Sequence, residues 1–119
     1  MPVRSLRSSV LKWPDRDLVD RAVREWAARL AQERADVRRV GYFGSYARGN
    51  WGVGSDLDLL VIVRDSARPF VERAHQWDVS TLPVPAELLV YTEAEWQSFP
   101  TDRRFLQSLQ DETVWVLVR

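Results

Sequence analysis

The feature that most constrains this chain is a run of five apolar residues at positions 59–63, LLVIV, which follows two aspartates. A strand that is apolar on both faces is typical of the interior of a covered sheet. Residues 56–63 are therefore predicted to form a buried strand, and residues 37–43 are predicted to form a strand that precedes it. Four glycines between positions 44 and 54 mark the turn that connects the two strands.

Helix and strand patterns alternate along the rest of the chain. Apolar residues recur at helical spacing over residues 14–35, and Pro14 suits the first helical position. Thr92 and Glu95 have the spacing of a capping box, which marks the start of a helix. Further helices are predicted over residues 69–77 and 102–110, and further strands over residues 86–91 and 113–118, the last of which suits a sheet edge. This alternation predicts an α/β layer fold.

Length and charge limit the classes of protein that this chain can represent. The 119 residues suit one domain over residues 13–119, after an Arg/Ser-rich segment, residues 1–12, that is expected to be a flexible arm. The 17 basic and 17 acidic residues give a net charge of +0, which argues against duplex DNA binding but leaves a nucleotide ligand open. Without cysteine, and without an apolar run for a signal peptide or membrane span, the chain is expected to be cytoplasmic with no membrane partner.

Two carboxylates stand where a buried strand would normally avoid charge. Residues two apart in a strand point to the same side, so Asp56 and Asp58 are predicted to project together, with α-carbons roughly 6.6 Å apart. Like charges on one face repel each other. A divalent cation such as Mg²⁺, which prefers oxygen ligands, would explain the pair. A strand end that simply reaches solvent is an equally open alternative for this pair taken alone.

A potential phosphate-binding turn precedes these carboxylates. Gly44 and Ser45 directly follow the first predicted strand and open a short turn or helix that contains Arg48. A glycine lets a phosphate approach the backbone closely, and exposed amides, the Ser45 hydroxyl and the Arg48 guanidinium can donate to its oxygens. A phosphate cradle joined by a short loop to paired carboxylates is what a nucleoside triphosphate with its magnesium requires. The combination favours a nucleotide site more strongly than either part does.

The stretch FGSYARG–NWGVGS–DLDLLV, residues 43–61, resembles the signature of the DNA polymerase β-like nucleotidyltransferase superfamily. That signature is a Gly-Ser followed, after a short gap, by an Asp-hydrophobic-Asp strand. The small size is most similar to the minimal nucleotidyltransferases, which often form the antitoxin half of two-gene systems with HEPN-domain toxins. The resemblance implies the polymerase β-like nucleotidyltransferase fold, α/β (α+β), with a mixed twisted sheet of about four strands flanked by helices.

The resemblance also implies roles for individual residues. Gly44 and Ser45 would bind the triphosphate, while Asp56 and Asp58 would be catalytic carboxylates that ligate two Mg²⁺ ions. Members that transfer nucleotides use a third metal-binding carboxylate on a later strand. Glu87 corresponds to it here, a glutamate where many relatives have aspartate. The extra methylene of Glu87 moves this carboxylate outward.

Other conspicuous residues have less specific interpretations. Tyr46 stands where many relatives carry an arginine, so that Arg48 would take a larger share of phosphate binding. Asp78 is a weaker candidate for the third carboxylate, because it precedes the predicted strand. Trp51 suits stacking on a nucleobase, contact with a partner protein, or packing back over the loop, and His75 is predicted at the surface. Core packing is predicted for four further tryptophans, Trp26, Trp77, Trp96 and Trp115.

The activity implied by the resemblance is metal-dependent transfer of a nucleoside monophosphate from a nucleoside triphosphate, with ATP expected, to a hydroxyl group. A chain of this length leaves no room for an acceptor-binding domain. The acceptor surface is therefore expected from another chain, either a HEPN-type toxin that is neutralised by nucleotidylation or a second copy in a homo-oligomer. Two alternatives remain open: a nucleotidyltransferase-fold module that neutralises a partner by contact alone, and an enzyme that acts on a small hydroxyl compound.

Overall fold

The computed structural model describes residues 13–99 and 103–119, so the predicted N-terminal arm, residues 1–12, lies outside the described residues. Helices and strands alternate along the described chain as predicted, and the α/β fold class is confirmed. None of these helices is both long and apolar enough to cross a bilayer. In chain order the elements are α1 (Arg16–Glu33), β1 (Val37–Phe43), α2 (Ser45–Arg48), β2 (Leu57–Val63), α3 (Phe70–Arg73), a 3₁₀ turn (Ala74–Gln76), β3 (Ala86–Thr92), α4 (Glu93–Gln97), α5 (Arg104–Glu112) and β4 (Val114–Val118).

The four strands of the described residues form one mixed sheet in the order β3-β2-β1-β4. β1 pairs antiparallel with both β2 and β4, while β2 pairs in parallel with β3. A parallel pair needs a long crossover, and the segment between β2 and β3 provides it with α3 and the 3₁₀ turn. This order puts β2, with its continuous apolar run, inside the sheet and β4 at an edge, as the sequence predicted.

α1 covers one face of the sheet and forms the main core with it. Val19 of α1 is fully buried, and it belongs to a cluster that includes Val40 of β1 and Val61 of β2. Trp26 and Trp77 are also buried in this cluster, as predicted for both. The α1 face therefore supplies most of the apolar burial that holds the central strands in place.

The start of α1 differs from the sequence-based expectation. Asp15 is the N-cap residue, and its carboxylate accepts a hydrogen bond of 2.9 Å from the Leu18 amide. This bond satisfies an amide that has no partner within the helix, which makes Asp15 a good cap. Pro14 therefore lies before the cap, and its predicted place at the first helical position is wrong.

A layer of aromatic side chains covers part of the opposite face of the sheet. The rings of Tyr91 and Phe99 lie 4.7 Å apart in an edge-on arrangement, and those of Trp96 and Trp115 lie 5.6 Å apart. Phe70 stacks on Tyr91 at 4.8 Å. Trp96 and Trp115 are half-buried, so their predicted packing occurs in this second layer and not in the α1 core.

α4 is held by a capping box and by an ion pair with a buried arginine. The Thr92 hydroxyl accepts a hydrogen bond of 3.2 Å from the Glu95 amide, and the Glu95 carboxylate accepts one of 2.8 Å from the Thr92 amide, as predicted. Arg73, which is 7% exposed, donates to the same carboxylate at 2.6 Å and to the Val90 carbonyl at 3.1 Å. The Arg73 guanidinium lowers the pKa of Glu95 below its usual value. One buried cation therefore links α3, β3 and α4.

Several predicted boundaries differ from the structure by one or more residues. β2 begins one residue later than predicted, so Asp56 lies just before the strand. The helix predicted over residues 69–77 is only a four-residue helix and a 3₁₀ turn, because Trp77 adopts an extended conformation and packs into the core. The last helix continues to Glu112, and residue 102, its predicted start, lies outside the described residues. His75 is exposed, as predicted.

Candidate active site

The turn after β1 brings the backbone of Gly44 against a carboxylate of β2. Gly44 has φ 75° and ψ −150°, a conformation that is essentially restricted to glycine, and it precedes the single turn of α2. A Cβ atom built on Gly44 would overlap the Oδ2 atom of Asp58 and would lie 3.1 Å from its Cγ atom. Glycine is therefore needed for the β1–α2 turn to approach Asp58 this closely.

The sheet places the carboxylates of Asp58 and Glu87 side by side. The register pairs Asp58 with Phe43 on the antiparallel side and with Glu87 on the parallel side. Paired residues of neighbouring strands point to the same face, and this is the face that carries the aromatic layer. Asp58 is half-buried, whereas Glu87 on the edge strand β3 is exposed, as is Asp56 just before β2.

Electrostatics connect the three carboxylates that the sequence predicted. Burial raises the pKa of Asp58 above its usual value, the charges of Glu87 and Asp56 raise it further, and Arg48 offsets part of the increase. Within residues 13–99 and 103–119, no three acidic or imidazole side chains are arranged closely enough to form a metal site by themselves. Mg²⁺ commonly binds through one or two carboxylates together with phosphate oxygens and water, so a ready-made cage is not required.

A cavity of about 310 Å³ opens beside Asp58. One wall comes from the β1–α2 turn and β2, and the other comes from α5. Nothing in the sequence of α5 distinguishes its residues from an ordinary sheet-packing helix, and none was predicted to belong to the site. Residues lining the cavity are Phe43, Gly44, Arg48 and Asp58 on the first wall and Phe105, Ser108, Leu109 and Glu112 on the second.

Arg48 borders this cavity in an ion pair with α5. Its Nη1 atom lies 3.7 Å from Oε2 of Glu112, and the two side chains are 48% and 40% exposed. Ser45, the first residue of α2, is half-buried directly after Gly44. The three residues predicted to bind phosphate thus lie in one turn, and Glu112 is an acidic neighbour that the sequence did not reveal.

Tyr46 faces the interior and anchors the turn to the start of α1. Its ring is fully buried, and its hydroxyl donates to the Pro14 carbonyl and accepts a hydrogen bond from Trp13 Nε1, both at 3.0 Å. Trp51 stacks on the Tyr46 ring with centroids 5.7 Å apart. Tyr46 therefore has a structural role where an arginine was noted in relatives. Trp51 packs over its own loop, one of the three possibilities left open by the sequence.

Asp78 lies apart from the carboxylates of the cavity. Its carboxylate accepts a hydrogen bond of 2.9 Å from the Ser80 amide, and its backbone carbonyl accepts one of 2.9 Å from Nε1 of Trp26 on α1. Asp78 is thus part of a turn that packs against α1. Between the two candidates for a third carboxylate, Glu87 is the one that the sheet places beside Asp58.

Three solved structures share this fold. A toxin–antitoxin structure with AMP-PNP is 20% identical in sequence, with a TM-score of 0.56 over 80% of this chain and 72% of the other. A candidate nucleotidyltransferase from Sulfolobus solfataricus is 18% identical, with a TM-score of 0.60 over 84% of this chain and 80% of the other. A mutant of the toxin–antitoxin pair MntA-HpeT is 20% identical, with a TM-score of 0.54 over 80% and 71%.

Sequence identities of 18–20% to these solved structures show a shared fold and nothing more. A comparison with protein-family models assigns the chain to a family more directly. No curated protein matches the sequence. Residues 23–116 match the family model of the nucleotidyltransferase domain, and this stretch contains both halves of the Gly-Ser and Asp-Leu-Asp motif. The family predicted from that motif is confirmed, and the chain belongs to the nucleotidyltransferase domain family.

Proposed function

We propose that this chain transfers a nucleoside monophosphate from ATP to a hydroxyl group on a partner protein, a HEPN-type toxin that is thereby neutralised. The observation that carries the proposal is the contact between the Gly44 backbone and the Asp58 carboxylate, which joins the phosphate-binding turn to the acidic strand. Membership of the nucleotidyltransferase family supports the reaction class. The fold shared with toxin–antitoxin structures, one of which contains AMP-PNP, supports the choice of nucleotide and partner.

The acidic residues of the site fit magnesium ions. Burial raises the pKa of Asp58, and the negative charges of Glu87 and Asp56, which Arg48 offsets only in part, raise it further. Carboxylate oxygens are the ligands that Mg²⁺ prefers, and a nucleotide supplies phosphate oxygens for the remaining positions. We assign Asp56 and Asp58 as the main ligands of two ions, with Glu87 as a third. When bound, Mg²⁺ neutralises phosphate charge and stabilises the attacking and leaving oxygens.

The groups of the candidate site have separate tasks in this proposal. The Gly44 amide, the Ser45 hydroxyl and the Arg48 guanidinium donate hydrogen bonds to the triphosphate. The acceptor oxygen attacks the α-phosphorus, the bond from that phosphorus to the bridging oxygen of the β-phosphate breaks, and pyrophosphate leaves. Glu87, the exposed carboxylate beside Asp58, orients the acceptor hydroxyl and accepts its proton.

The acceptor surface in this proposal comes from another chain. Among the described residues, β2 places Asp58 between Phe43, which lines the cavity, and Glu87 on the edge strand β3, which is exposed. A partner protein that docks along this edge of the sheet would present a hydroxyl next to Glu87. Positioning the acceptor and the nucleotide together supplies most of the rate enhancement that such a reaction needs.

A transfer assay with two differently labelled nucleotides tests the proposal. The chain is incubated with Mg²⁺, a co-expressed HEPN-domain toxin, and ATP that carries radiolabel on either the α- or the γ-phosphate. We expect label from the α-phosphate on the toxin, no label from the γ-phosphate, and release of pyrophosphate. Asp58→Asn should abolish transfer, whereas Asp65→Asn, which removes the same charge from an exposed residue outside the cavity, should not.

The alternatives give different results in the same assay. Neutralisation of the toxin without any label would mean that the chain acts by contact alone. Label on an added small hydroxyl compound, but not on the toxin, would mean a different acceptor class. Full transfer by Asp58→Asn would contradict the assignment of the site.

A further inference from the structure

Glu112 and Arg48 form the one charged contact described between the two walls of the cavity. The ion pair joins the last residue of α5 to the last residue of α2, with 3.7 Å between Nη1 and Oε2. Both residues line the cavity that also contains Gly44 and Asp58. The side chain that we assign to phosphate binding is therefore already in contact with an anionic group of the protein.

Packing of α5 determines where this carboxylate lies. Leu109 is 1% exposed and is the buried side chain of the helix, and Phe105 contacts Phe43 edge-on with ring centroids 6.3 Å apart. The Thr113 hydroxyl donates to the Leu109 carbonyl and fixes the residue that follows the helix. Glu112 is thus placed at the cavity by the α5 interface with the sheet.

The charge at the end of α5 is unusual for a helix. The last turn contains two acidic residues, Asp111 and Glu112, and no basic residue, although the partial negative charge at a helix C-terminus disfavours anions there. Asp111 accepts hydrogen bonds of 3.1 Å from the Gln107 amide and is satisfied within the helix. Arg48 is the cation that offsets the charge of Glu112.

We propose that Glu112 competes with the nucleotide for Arg48, so that binding of a triphosphate must exchange the internal carboxylate for a phosphate group. This inference rests on the proposed function, because it concerns the same site. A guanidinium has a fixed fork of donors, and a phosphate offers it more charge and more acceptor oxygens than a carboxylate does. In the nucleotide-free protein Glu112 therefore holds Arg48 near the position where phosphate binds, and it weakens nucleotide affinity in doing so.

The expected size of the effect is modest because the pair is half-exposed. Ion pairs at this exposure change an equilibrium by about two- to five-fold. Removal of the Glu112 charge is therefore expected to tighten nucleotide binding by that factor. Higher salt should reduce the difference, since exposed pairs are screened.

Isothermal titration calorimetry with ATP and Mg²⁺ tests the proposal on wild type and on two matched variants. Glu112→Gln removes the contact with Arg48, while Asp111→Asn removes the same charge one residue earlier without touching Arg48. We expect Glu112→Gln to lower Kd about two- to five-fold and Asp111→Asn to lower it clearly less. Equal effects of the two variants would mean that only the overall charge matters, and the inference would be wrong.

A double mutant separates the exchange from other roles of Glu112. In an Arg48→Gln background, Glu112→Gln should no longer tighten nucleotide binding, because the guanidinium for which Glu112 and the nucleotide compete is absent. Tightening that persists in this background, or weaker binding by Glu112→Gln alone, would overturn the inference.

Failure of this inference can be told apart from failure of the proposed function. If wild type binds ATP and Asp58→Asn does not, but Glu112→Gln binds like wild type, only the role of Glu112 is refuted. If wild type itself binds no ATP in the presence of Mg²⁺, the proposed site is refuted and the role of Glu112 with it.

Discussion

Replacement of Gly44 by alanine perturbs the contact on which the proposed site depends. The backbone there has φ 75° and ψ −150°, a region in which a non-glycine residue costs about 1–3 kcal/mol. The added methyl group would also overlap Oδ2 of Asp58, so either the β1–α2 turn or the carboxylate must shift. We therefore expect Gly44→Ala to lose at least about 1–3 kcal/mol of unfolding free energy and to bind nucleotide more weakly.

The expected decrease in Tm follows from this loss of free energy and the unfolding entropy of the chain. An unfolding entropy of about 2.1 cal/mol/K per residue gives about 0.25 kcal/mol/K for 119 residues, so the loss corresponds to about 4–12 °C. Two other glycines of the same loop are matched controls, because a Cβ atom on Gly49 or Gly52 meets no atom within 4 Å. Gly49 has φ 82°, so Gly49→Ala should cost about 1 kcal/mol, whereas Gly52→Ala should stay within about 0.5 kcal/mol of wild type.

Thermal unfolding and calorimetric ATP–Mg²⁺ binding of the three variants would be measured side by side. We expect Gly44→Ala to melt lowest, Gly49→Ala next, and Gly52→Ala close to wild type, with nucleotide affinity lost only in Gly44→Ala. Circular dichroism would show that the variants remain folded. A Gly44→Ala protein with wild-type stability and wild-type affinity would refute the reasoning.

Three further substitutions test other parts of the structure. Asp58→Asn should raise the Tm of the ligand-free protein at pH 7, because a raised pKa means that folding disfavours the ionised carboxylate. The Tm values of wild type and Asp58→Asn should converge as the pH falls through the pKa of Asp58 towards 3.8. Arg73→Ala should lower the unfolding free energy by about 1–3 kcal/mol in urea titrations, because it removes the donor to the buried Val90 carbonyl and the cation beside Glu95, which is 39% exposed. Trp51→Ala should lose about 0.5–1.5 kcal/mol of stacking on Tyr46, while calorimetry shows unchanged affinity for ATP with Mg²⁺. A less stable Asp58→Asn, an unaffected Arg73→Ala or a Trp51→Ala with weaker nucleotide binding would each contradict the corresponding reasoning.

Local sequence patterns correctly predicted those helices and strands whose tertiary packing favours the same conformation. β1 was predicted residue for residue. β2 was predicted to within one residue, because its uninterrupted apolar run suits the interior of a sheet. The capping box of Thr92 and Glu95 was also predicted, since it depends only on residues three apart. The helix predicted over residues 69–77 is present over residues 70–76, but its second half is a 3₁₀ turn. Trp77 leaves the helical conformation to fill the core, and no local signal predicts that.

The sequence predicted the carboxylates of the candidate site, but it did not predict that α5 forms the second wall of the cavity. The position of Asp58 follows from strand spacing, and that of Glu87 follows from the family resemblance. Glu112, by contrast, reaches the cavity only through the packing of α5, far along the chain from the Gly-Ser motif. Tyr46 was noted as a departure from relatives, but its interior role depends on Trp13 and Pro14, more than 30 residues earlier in the chain.

A thermal-shift titration with ATP and Mg²⁺ tests most directly whether Asp58 and the Gly-Ser turn form a nucleotide site. Ligand at about one hundred times its Kd adds roughly 2.7 kcal/mol of stability, or about 10 °C for a chain of this length. For each protein, the Tm with ligand is compared with the Tm of the same protein without ligand. We expect wild type and Asp65→Asn to show an increase that requires Mg²⁺, and Asp58→Asn to show none. No shift in the folded wild type, or an equal shift in Asp58→Asn, would contradict the central claim.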